Sequence, residues 1–102
     1  MITVRLLALV LVAAALMACA GGDSRVTGVL TDVDGDLTTV ESFEIQSGGE
    51  RLRFVPDDGL DVFGDDGTPL SHLFEHLQTG DPVRVTYRVD GDVKVAILVE
   101  DS

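Results

Sequence analysis

Apolar residues recur along this chain at two spacings, and the change from one to the other marks its elements. Val26 to Val33 is rich in β-branched and aliphatic residues and is followed by Asp34-Gly35, a strong hairpin signal. Thr38 to Ser47 reads as a second strand with Val40, Phe43 and Ile45 as its apolar members. The slip from even to odd spacing between Val40 and Phe43 predicts a bulge or bend. Gly48-Gly49 turns the chain into Glu50 to Val55, where Leu52 and Phe54 alternate with Arg51 and Arg53. Pro56 to Gly67 is a loop of Asp and Gly carrying Leu60, Val62 and Phe63, which are predicted to form a hydrophobic plug. The period then becomes helical. Thr68 is the expected N-cap and Pro69 the first helical residue, where its missing N–H is harmless. At about 100° per residue Leu70, Leu73, Phe74 and Leu77 share one face, with the end near Gln78 and Gly80 as the stop. Alternation returns in Val83, Val85, Tyr87 and Val89. After a turn at Asp90-Gly91, Val93, Val95, Ile97 and Val99 are the predicted last inward face.

Three strands, a helix and two strands make a mainly β fold over residues 26–102. That order resembles the five-stranded oligonucleotide/oligosaccharide-binding (OB) barrel, in which one helix between strands 3 and 4 plugs the barrel bottom. Gly28 suits the curvature such a barrel needs in its first strand. Another small β-barrel, or a roll with one helix, is the other architecture this order allows. The run Ser71-His72-Leu73, His76-Leu77 and Gly80-Asp81-Pro82-Val83-Arg84-Val85-Thr86-Tyr87 is similar to small bacterial OB-fold-like domains, a resemblance that carries no activity with it.

A different pattern precedes the domain. Met1 to Arg5 holds one cationic side chain, and Leu6 to Ala18 is thirteen residues of Leu, Val, Ala and Met. Such a run has the length of a secretory apolar core and falls short of the roughly 20 residues that span a bilayer. Leu16-Met17-Ala18-Cys19 resembles the lipobox of bacterial lipoproteins. The resemblance implies a signal peptide over residues 1–18, cleavage before Cys19, and diacylglyceryl and palmitate-type acylation at Cys19. Residues 19–25 are then the lipidated cysteine and a tether, and the chain is a membrane-anchored, extracytoplasmic protein of the cell envelope. Two or three acyl chains hold stably where one holds marginally, at about 0.8 kcal/mol per buried methylene. A buried helix of a cytosolic protein is the competing reading. Gly21-Gly22-Asp23-Ser24 directly after the run, and its lack of a polar face, weigh against it.

Loss of the leader sharpens the charge. The whole chain carries −11; the 84 residues from Cys19 onward keep six Lys/Arg against eighteen Asp/Glu, or −12. A field of that sign repels polyanions, which excludes nucleic acid as the expected partner, and also repels anionic headgroups. One cysteine forms no intramolecular disulfide. With no Trp and only Tyr87 as tyrosine, stacking platforms for bases or sugars are scarce.

His72-Leu73-Phe74-Glu75-His76 matches the inverted zinc-peptidase pattern H-x-x-E-H. Histidines at i and i+4 on a helix can share a metal ion. One helix leaves no second helix for a third ligand and no room for a substrate cleft, so His72 and His76 are read as a polar helix flank or a divalent-metal pair. Asp32-Val33-Asp34-Gly35-Asp36 begins like a calcium loop but has its glycine at position four and Phe43 at twelve, so the EF-hand pattern fails. Asp57, Asp58, Asp61, Asp65 and Asp66 crowd one loop and are read as solvated or as a weak site for a hard cation. Arg51 and Arg53 lie on the strands that form the ligand face of OB barrels, where they either meet a ligand or pair with carboxylates across strands. No catalytic residue and no cofactor is expected. The expectation is a lipid-anchored, non-enzymatic binding module whose partner is an envelope protein or a small ligand; the alternative is a divalent-metal-binding envelope protein using His72 and His76.

Overall fold

Five short strands that are apolar on one side only can hide that side by curling the sheet onto itself. The computed structural model of the chain describes residues 23–64 and 66–102, and shows that solution; the leader and Cys19 lie outside the described residues. Strands β1 (Ser24–Gly35), β2 (Val40–Ser47), β3 (Glu50–Pro56), β4 (Val83–Asp90) and β5 (Val93–Asp101) are joined by one helix, α1 (Leu70–Thr79), between β3 and β4. They close into a barrel in the order β1-β2-β3-β5-β4. Every seam is antiparallel except the short parallel one between β3 and β5. This is the mainly β, five-stranded OB-like barrel that the element order predicts.

Strand β1 serves two neighbours. Ser24 to Gly28 pair with β4, and Val29 to Gly35 pair with β2. Ser24 and Arg25, expected in the tether, are already in the barrel, opposite Tyr87 and Thr86. Inside, Phe43 stacks on its cross-strand partner Phe54 at 5.3 Å between ring centroids, with Phe63 and Tyr87 edge-on to them. Leu73 of α1 is fully buried and belongs to the same core cluster as Ile45, Val83, Val85 and Val99. Residues two apart on β1 (Val26, Gly28, Leu30) face in, as period-two alternation requires.

Three register shifts bend the strands. Glu41 is the extra residue on β2, between Val40 opposite Gly35 and Ser42 opposite Asp34, so the predicted bulge is present. Thr31 is extra on β1. Ile97 is extra on β5, and it overturns most of the expected inward face there: Val93 is exposed and Val95 and Ile97 are half-buried, while Val99 is inside as expected and Ala96 joins it. A bulge moves every following side chain to the other face, which alternation alone cannot show.

Turn chemistry corrects two more expectations. The β1–β2 turn lies at Asp36–Thr39, not at Asp34-Gly35. Asp36 Oδ1 accepts from the backbone N–H groups of Thr38 (2.8 Å) and Thr39 (3.0 Å), and that local closure fixes the reversal two residues later. Thr68 does not cap the helix. Pro69 stands at the N-cap without a side-chain hydrogen bond, because the Thr68 hydroxyl points the other way, into the barrel end. The loop plug forms from Val62, which is buried, and Phe63, while Leu60 stays exposed.

Candidate functional site

The end of α1 is where polar groups converge. Gly80 stops the helix in the left-handed conformation (φ 78°), and its N–H donates to the His76 carbonyl at 2.9 Å. The chain therefore doubles back through Asp81-Pro82 into β4, which brings the Asp81 carbonyl within 2.8 Å of His76 Nδ1. On the other side Val83 at the start of β4 pairs with Asp101 at the end of β5. The Asp101 carboxylate thus meets the helix: Oδ1 lies 2.8 Å from His76 Nε2, and Oδ2 lies 3.7 Å from His72 Nε2. The two imidazoles stand 4.9 Å apart, centroid to centroid. Thr68 completes the group, its hydroxyl donating to Asp101 Oδ1 at 2.7 Å and its N–H to the Val99 carbonyl.

Helical spacing places His72 and His76 side by side, as expected, but not both on an open flank. His76 is only 5 % exposed, while about half of His72 and of Asp101 reaches solvent. Asp101 was not among the residues the sequence singled out. The available signal was its position two residues beyond inward-facing Val99, where a carboxylate on the interior side of a strand needs a partner.

Electrostatics ties these groups to stability. Burial disfavours the charged His76 ring, but the hydrogen bond to the Asp81 carbonyl, the hydrogen bond and charge of Asp101, and the charge of Asp81 outweigh it. They hold its pKa above the ordinary 6.5. For Asp101, the Thr68 hydroxyl leads and burial opposes, while His76 and the charges of His72 and His76 add to the first; the carboxyl sits below its ordinary 3.8. A raised folded-state histidine stabilises fully below pH 6.5 and loses that contribution as pH rises through its folded value. A depressed carboxylate stabilises above pH 3.8 and loses it as pH falls through its folded value. Urea unfolding in chelator should show a midpoint that drops from pH 6 to pH 9. In His76→Gln that drop should flatten; parallel pH profiles for the two proteins would refute the assignment.

The arginines are mostly spoken for. Arg53 pairs with Asp32 and donates to Ser42 Oγ at 2.9 Å. Arg84 meets Glu100 at 3.3 Å and Arg88 meets Asp57 at 2.6 Å. Arg51, opposite Gln46 on the same face of β3 as Arg53, is exposed. The aspartate loop is also partly organised. Asp57 is held below the usual carboxylate range by the Arg88 hydrogen bond first and by the Gly59 N–H second. Between this loop and the β1–β2 turn lies an open groove of about 490 Å³. Val55, Leu60 and Phe63 line its apolar part, and Glu41, Asp58 and Asp61 its acidic edge. Asp32, from the calcium-like run, is engaged with Arg53, and Asp36 closes the turn. No family model matches the chain, and no curated protein matches it either.

Proposed function

We propose that this chain is a lipid-anchored envelope protein, a non-enzymatic binding module displayed outside the cytoplasm on acyl chains at Cys19. The observation that carries the reading is Leu16-Met17-Ala18-Cys19 closing a thirteen-residue apolar leader. The closed barrel is compatible with it, since among the described residues each of the five strands pairs with two neighbours along part of its length, which leaves little continuous sheet edge to recruit strands. The groove beside the β1–β2 turn supports a ligand that is apolar or cationic, because Val55 and Leu60 are solvent-exposed there and carboxylates rim them. The −12 charge argues the same way against nucleic acid.

The test is made in a bacterial host with the full chain. Wild type should incorporate labelled palmitate and partition with detergent, and Cys19→Ser should lose both and accumulate as the longer precursor. Unchanged processing and partitioning in Cys19→Ser would remove the anchoring half of the proposal. For the binding half, a photo-crosslinking residue at Leu60 should give adducts that the same residue at Val89, exposed outside the groove, does not. Equal adducts, or none, would remove it.

A further inference from the structure

The closure between α1 and β5 contains a donor set that the binding reading leaves unused. His72, His76 and Asp101 each offer one ligand atom, and these atoms all lie within 4.8 Å of one another. We propose that His72 Nε2, His76 Nε2 and the Asp101 carboxylate form a three-ligand site for a borderline divalent transition ion of the zinc class. This goes beyond the anchored binding module and does not depend on it.

Donor chemistry at His76 is the first support. A backbone carbonyl only accepts, so the 2.8 Å contact with Asp81 places the hydrogen on Nδ1. Nε2 of the neutral ring then presents a lone pair to Asp101 Oδ1 at 2.8 Å, and a carboxylate oxygen is likewise only an acceptor. Two lone pairs at that distance need a cation between them, either a proton or a metal ion. Metal-bound histidines generally show this arrangement, with the far nitrogen donating to a carbonyl that sets the tautomer. Here the Asp81 carbonyl takes that part for His76, and the Thr68 hydroxyl orients the carboxylate.

Spacing is the second support. With zinc–donor bonds of about 2.0–2.1 Å, tetrahedral ligand atoms stand about 3.3 Å apart. The contacts from His76 Nε2 to Asp101 Oδ1 and from His72 Nε2 to Asp101 Oδ2, 2.8 and 3.7 Å, lie on either side of that value and use the two oxygens of one carboxylate. Small rotations of the exposed His72 and Asp101 side chains equalise them around an ion, while buried His76 stays fixed. Two imidazoles and one carboxylate favour zinc, copper or nickel over calcium and magnesium, which take oxygen ligands. Three protein ligands leave a coordination position on the exposed His72–Asp101 side for water or for a donor from a partner.

A bound ion would lock the end of β5 to α1. Calorimetry with zinc on the detergent-solubilised full chain should give one ion per chain with micromolar Kd, and the melting temperature should rise on addition. His72 is exposed, so His72→Ala should fold and yet weaken zinc at least tenfold; Asp101→Asn should do the same. Long-range ¹H–¹⁵N spectra should show zinc shifting His76 Nε2 while Nδ1 keeps its proton. Wild-type affinity weaker than millimolar, full affinity in folded His72→Ala, or zinc shifts confined to the Asp57–Asp66 loop would each overturn the proposal.

Discussion

Phe54→Ala is expected to destabilise the barrel by about 3–5 kcal/mol, the cost of emptying a buried aromatic site. Phe54 is fully enclosed, stacked on Phe43 and met edge-on by Tyr87 at 5.1 Å. Its backbone also begins the parallel seam, which has only three residue pairs: Phe54 with Lys94, Val55 with Val95, and Pro56 with Ala96. The side chain therefore supports the shortest seam of the barrel from within. Small domains have limited stability, commonly 5–15 kcal/mol and toward the low end at this size. A loss of this magnitude leaves a substantial unfolded fraction at 37 °C. Chemical unfolding measures it directly, and hydrogen exchange locates it. Amides of the three-pair β3–β5 seam should lose protection before those of the β1–β2 hairpin, whose register of six pairs is twice as long. A loss under 1 kcal/mol, or uniform loss of protection, would mean that the parallel seam does not rest on this ring.

Sequence patterning reaches some of this architecture and not the rest, and the dividing line is physical. Leu52 and Phe54 on β3, and Val83 and Val85 on β4, alternate without interruption, so parity alone puts Phe54, Val83 and Val85 inside. Gly80 is legible as a stop because a left-handed residue after an amphipathic run has few other uses. The inward face of β5 is hidden, since four aliphatic residues from Val95 to Leu98 offer no polar marker of where Ile97 bulges out of register. Position 36 wins the first turn because its side-chain carboxylate accepts hydrogen bonds from the Thr38 and Thr39 N–H groups, and both Asp34-Gly35 and Asp36 carry plausible turn chemistry.

The candidate metal site divides in the same way. His72 and His76 are neighbours by helical geometry, whatever the tertiary structure does. Asp101 comes to them only because β5 closes against β4 and the helix end folds back through Asp81, a meeting across 25 residues that spacing cannot express. Thr68 misleads for a related reason. Its chemistry suits an N-cap, but a part-buried contact with the Asp101 carboxylate satisfies the hydroxyl instead. Cys19 and its leader, by contrast, are read by sequence pattern alone.

Gly28→Ala should cost roughly 1–3 kcal/mol, in the range of overpacked interiors, and Gly28→Val more. Gly28 is the residue at which β1 leaves β4 and takes up β2: it is the last partner of the one, opposite Val83, while Val29 is the first of the other, opposite Gln46. At that crossing a Cβ would stand 2.6 Å from the Gln46 carbonyl oxygen and 3.1 Å from Ile45 Cδ1. The first obstacle is backbone inside a paired strand, so it can yield only by spreading the β1–β2 seam. Gly59 supplies the contrast. A Cβ there meets only the Asp57 carboxylate, at an ordinary 3.4 Å. Gly59→Ala is thus expected to be neutral or to stabilise by up to about 1 kcal/mol through the unfolded chain. The same methyl group, added at two glycines of one domain, separates a general intolerance of substitution from a specific close approach. Thermal melts of the two variants side by side decide it. If Gly28→Ala melts no lower than Gly59→Ala, the role of β1 as partner of both β4 and β2 does not depend on a missing side chain. A deficit confined to Gly28, growing from Ala to Val, means that the barrel closes because this one position lets two strands pass at backbone distance.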